Sequence, residues 1–175
     1  MQANDREFLP PQSMTPSQVA DHLAHLVWES FSDFITDGEA ERLLGDLDLT
    51  NEEGVPDDDV AEELLIFLMW AHTRAVQLAF LGQAPADLVQ QILDAFHAAV
   101  FEDMESHGTP ASELPLFEQR VGARYTQYHE SAARSDQAVG ASAIRALTGG
   151  AGASTPVDDA MARRAIMVVD PLRDF

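Results

Sequence analysis

The stretch PDDDVAEELLIFLMWAHTRAVQLAF, residues 56–80, decides how the rest of the chain is read. Asp57, Asp58 and Asp59 stand where carboxylates complement the exposed amides and positive end of a helix start. The eight apolar residues Leu64–Ala71 follow, far short of the roughly 20 needed to cross a bilayer. The pattern predicts a core helix over 58–81, stopped by Gly82. Within it, a helical wheel of about 100° per residue separates the two polar intruders. His72 falls among Ala61, Leu65, Leu68, Val76 and Ala79, so it is expected to be a neutral, hydrogen-bonded core residue whose pKa is lowered by burial. Arg74 shares a polar stripe with Glu63 and Gln77 and is expected to pair with a carboxylate on another helix.

Working outward, Thr15-Pro16-Ser17-Gln18 supplies a threonine cap, a proline at the first helical position and the glutamine of a capping box. Val19, Leu23, Leu26, Val27, Phe31, Phe34 and Ile35 then recur at helical spacing to about Asp37-Gly38. A short helical piece, EAERLLGDL, precedes the polar connection TNEEGVP. Beyond Pro85, the residues Leu88, Val89, Ile92, Leu93, Phe96, Val100 and Met104 mark a helix over about 86–106. Phe117, Val121, Tyr125, Tyr128 and Ala132 mark another. Short connections favour antiparallel neighbours, so the fold expected is all-α, a single antiparallel bundle of about four main helices. The expected division is an extended arm over 1–14, the bundle over 15–134, a flexible Gly/Ala/Ser linker over 135–156, and a short C-terminal docking segment over 157–175.

Composition narrows the function classes. With 46% hydrophobic residues the 175-residue chain has an ordinary globular content. It has no cysteine, which excludes disulfides, thiolate metal sites and cysteine nucleophiles. The amino terminus lacks the basic start and apolar core of a secretory signal, so a cytoplasmic location is expected. Thirty acidic residues face ten basic ones, all arginine, for a formal charge of −20. Such an excess repels phosphate backbones and anionic lipid, so neither nucleic acid nor membrane is expected as a partner. It suits a protein partner with a basic surface, or a salt-loaded cytoplasm in which mobile ions screen the repulsion. Homo-oligomerisation is left open.

Several residue groups carry chemistry at suggestive spacing. His22, His25 and Glu29 share the polar side of the first helix, and imidazole with carboxylate at that spacing suits a divalent ion such as zinc. Asp94-x-x-His97 and Glu130 form an incomplete version of the inward-facing carboxylate and histidine set of metal-binding bundles. Arg120 and Arg124, one turn apart and close to Tyr128, are candidates for contact with a partner, since guanidinium forks suit carboxylate or phosphate. No serine and histidine pair or glycine-framed nucleophile supports hydrolase chemistry.

The last residues, RRAIMVVDPLRDF, are similar to the opening strand of isochorismatase-like cysteine hydrolases, with Asp170 at the position of a catalytic aspartate. The resemblance spans about a dozen residues, and the cysteine those enzymes use is missing, so no activity is carried over. The expectation is a non-enzymatic acidic helical interaction protein without a cofactor: an adaptor, neutralising or chaperone-like binder of a protein partner. The alternative is a metal-binding helical bundle with redox or hydrolytic activity.

Overall fold

A computed structural model describes residues 14–149. The fold is all-α: α1 (Pro16–Thr36), α2 (Gly38–Asp46), α3 (Asp58–Phe80), α4 (Ala86–Ser106), α5 (Leu114–Ala132) and α6 (Asp136–Leu147). Among the described residues the sole β-type pairing is an isolated bridge between Thr50 and Pro56. None of these helices is long and apolar enough to cross a membrane. The C-terminal docking segment and almost all of the N-terminal arm lie outside the described residues, as does the isochorismatase-like stretch.

The start of α1 follows the capping box read from the sequence. Thr15 Oγ1 accepts from the Gln18 amide, and Gln18 Oε1 accepts from the Thr15 amide at 2.9 Å. Helix α3 ends at Phe80, and Gly82 takes φ +72°, a left-handed conformation that turns the chain toward Pro85. Helices α1 and α4 form the most extensive pair, tied by a bond from Trp28 Nε1 to Asp103 Oδ2 at 3.0 Å.

Helix α3 is central. It packs against α1, α4, α5 and α6, and every residue from Glu63 to Trp70 is buried. A helix enclosed on several sides needs apolar residues around its whole circumference for two turns, which is what LLIFLMW provides. His72 lies in this core at 2% exposure, as the wheel predicts, with Nδ1 donating to the Leu68 carbonyl at 2.9 Å. The wheel misplaces Glu63 and Thr73, which are both buried. A single polar stripe presumes one solvent face, and α5 covers that stripe at Glu63 and Thr73, where Arg124 and Tyr125 meet them.

The expected linker also gives way to structure. The described residues form six helices: the four main ones expected, the short piece expected at EAERLLGDL, and Asp136–Leu147, which is helical and docked. Ser135 caps it by accepting from the Ala138 amide, and Val139, Ala143, Ile144 and Leu147 are buried at helical spacing. Buried Gly140, Ser142 and Ala146 let it lie close to its neighbours. Ile144 packs with Leu43 and Leu47 of the α2 region. Ile144→Ala is therefore expected to cost roughly 2–5 kcal/mol in urea unfolding. An unchanged midpoint would restore the linker reading of this segment.

Candidate functional site

The polar side chains buried in this fold gather where α3 meets α5. Arg124 grips Glu63 with both arms: Nε donates to Oε2 at 2.7 Å and Nη2 to Oε1 at 2.8 Å. Its remaining Nη1 donates to Gln127 Oε1 at 3.1 Å. The hydrogen bond to Glu63 holds the guanidinium pKa above its ordinary value. One turn earlier, Arg120 Nη1 donates to Glu62 in a half-buried pair. Tyr128 lies one turn after Arg124, fully buried, with its ring 5.3 Å from Phe67 and 5.4 Å from Trp70. Burial raises its phenol pKa. Arg120, Arg124 and Tyr128, expected from sequence to meet a partner, thus lie along a seam between α3 and α5.

The Arg74 guanidinium lies 5.8 Å from the centre of the Trp70 ring, an aromatic partner that the sequence reading did not foresee. Trp70 is enclosed by Phe67, Tyr128 and His129, and its Nε1 is buried with no hydrogen-bond partner among the described residues.

A second polar chain links three helices. His97 Nδ1 lies 2.7 Å from the Leu93 carbonyl, so it must carry the proton and donate. Neutral Nε2 is then an acceptor, and Tyr125 Oη donates to it at 2.8 Å. The same phenol oxygen sits 3.3 Å from Thr73 Oγ1, which is left to donate. Burial lowers the pKa of His97 and His72 and raises that of Tyr125, so the neutral forms this chain requires are the stable ones.

This geometry disperses the expected metal ligands. Both ring nitrogens of His97 are committed to Leu93 and Tyr125, and Asp94 accepts from Gln90. His25 pairs with Glu29 at 3.2 Å on the exposed side of α1, where His22 is also exposed, and Glu130 belongs to α5. Among the described residues no three histidine, aspartate or glutamate side chains converge in a group that would hold a metal ion.

Two features face outward. The first is the loop joining α2 to α3. The loop and the helix ends that flank it carry Asp46, Asp48, Glu52, Glu53, Asp57, Asp58 and Asp59, all exposed, with no basic residue among them. The loop is pinned: Asn51 Oδ1 accepts from the Glu53 and Val55 amides, and the Asn51 amide donates to the Val55 carbonyl at 2.9 Å. Asp48 at φ +58° turns the chain out of α2, a conformation aspartate tolerates. Val55 is left 51% exposed amid the carboxylates. The second is a groove of about 440 Å³ between α5 and α6, with Arg124, Arg134, Arg145, Gln127, Glu130, Ser131 and Ser142 among its lining residues. Sequence reasoning missed it because Arg145 and Ser142 lie in the segment read as linker.

Compared with protein-family models, curated proteins and solved structures, the chain matches none of them.

The seam makes two predictions. Arg124→Ala strands a buried carboxylate and is expected to cost roughly 3–5 kcal/mol, whereas Arg120→Ala, from a pair open to solvent, costs about 1 kcal/mol or less in the same urea titration. Equal losses would mean that Glu63 is solvated. Because the folded-state pKa values of His97 and His72 lie below the ordinary 6.5, the unfolded chain takes up protons first as pH falls. Their stabilising contribution is complete above that value and is lost as pH drops through the folded-state pKa. The unfolding midpoint should fall between pH 7.5 and 5, and His97→Gln should reduce the slope. A slope identical to wild type would remove His97 from the titration.

Proposed function

We propose that this chain is a non-enzymatic acidic helical protein that binds a protein partner with a basic surface, and that the α2–α3 loop is the face it uses. The observation that carries this reading is the make-up of the loop and the helix ends beside it: seven exposed carboxylates and an exposed valine over residues 46–59, with Asn51 holding the loop through four hydrogen bonds. Carboxylates on a fixed loop raise the encounter rate with a basic surface and set its orientation, while an apolar point at their centre gives contact area once water leaves. The ion pairs seen among the described residues engage Glu29, Glu62 and Glu63 and leave the loop carboxylates to an outside charge. Adaptor, neutralising and chaperone-like roles all follow this physics. A cysteine-free acidic chain is suited to work in the cytoplasm.

A photo-crosslinking residue in place of Val55 tests the proposal in cells. The expected product is a one-to-one adduct with a basic protein, lost when Glu52, Glu53, Asp57 and Asp58 are changed together to their amides and weakened by added salt. Adducts scattered over many proteins, or unchanged by the amide substitutions, would refute it.

A further inference from the structure

The groove between α5 and α6 has a chemistry opposite to that of the loop. Three of the six arginines in the described residues line it, against one carboxylate, Glu130. Its volume of about 440 Å³ falls in the range of small-molecule sites. Arg124 forms a fixed wall, since Glu63 and Gln127 occupy its nitrogens and hold the plane of the guanidinium. Arg134, at the end of α5, donates through Nη2 to the buried Ser131 hydroxyl at 3.2 Å. That one bond orients it and leaves most of its five N–H groups for a ligand. Arg145 stands exposed on α6, and the largely buried Ser142 of the same helix also lines the groove.

We propose that this groove binds a small oxyanion, held between Arg134 in the turn after α5 and Arg145 on α6 with Ser142 as a further donor. Forked guanidinium groups recognise planar carboxylates and phosphate oxygens alike, so the shared chemistry is a multiply charged oxyanion supplied either by a polycarboxylate or by a phosphate compound. Glu130 opposes such a ligand and limits its affinity. That placement gives the site two signatures of opposite sign, which a merely structural role for these surface residues would not produce.

Calorimetric titration of the full chain in phosphate-free buffer tests this, with citrate in one arm and inorganic pyrophosphate in the other. Saturable binding of either is expected, weakened about tenfold or more by Arg134→Gln and by Arg145→Gln, and strengthened by Glu130→Gln. All three residues are exposed, so the variants should keep the wild-type circular dichroism and melting behaviour. Binding in the citrate arm alone assigns the ligand to the carboxylates, and binding in the pyrophosphate arm alone assigns it to the phosphates. Failure of both anions to saturate in the millimolar range overturns the site, as does binding that ignores the two arginine substitutions.

Discussion

Glu63 is 7% exposed and immediately precedes seven consecutive buried apolar residues of α3. A carboxylate at that depth is tolerable only with a partner that neutralises it and fills its acceptor positions. Arg124 does both through two parallel bonds, and that requirement sets the height at which α5 lies along α3. With the register fixed, Tyr128 reaches Phe67 and Trp70, and Tyr125 meets Thr73 and His97. A purely apolar contact between the two helices would permit sliding by a turn. The buried pair selects one arrangement, which is the use of such pairs most consistent with their modest net energy.

Much of this architecture was legible in the sequence, and the failures share a cause. The capping box at Thr15, the limits of α4, the core position of His72 and the helical stripe of α5 all rest on local rules, which act within a few residues. Glu63 and α6 depend instead on what lies alongside. A wheel assigns one wet face to each helix, whereas α3 is enclosed, so a charged residue on its apparent polar stripe is covered by α5. Residues 135–147 have linker composition, but small side chains also permit close helix packing. The spacing of Val139, Ala143, Ile144 and Leu147 was the available signal. The metal candidates illustrate a related limit of local rules: spacing within one helix says nothing about whether a ring nitrogen is already engaged, as both of those of His97 are, by the Leu93 carbonyl and the Tyr125 hydroxyl.

The few cations are spent on structure before any surface is served. Arg120 and Arg124 neutralise Glu62 and Glu63, and Arg74 covers the Trp70 ring, so half of the arginines in the described residues are engaged by side chains of α3. Arg134 and Arg145 are the two that line the α5–α6 groove without belonging to the seam. The groove is therefore a local concentration of positive charge in a chain of strong net negative charge.

A formal charge of −20 is charge that no internal pairing can neutralise. Its counterions must come from outside, either as mobile salt or as a fixed array on another molecule. Mobile ions respond to charge density and are indifferent to backbone order, since the screening length of about 8 Å at physiological salt exceeds the spacing of neighbouring side chains. A disordered acidic tract would serve them equally well. The α2–α3 loop is instead held by Asn51 and by the Thr50–Pro56 bridge, and ordering a loop costs conformational entropy of about 1–2 kcal/mol per residue. Spending order on a set of carboxylates has a physical return only when the opposing charges are also fixed, because complementarity between two rigid arrays avoids that cost at the moment of binding. The order of the loop, more than its acidity, is the ground on which the proposed basic partner rests.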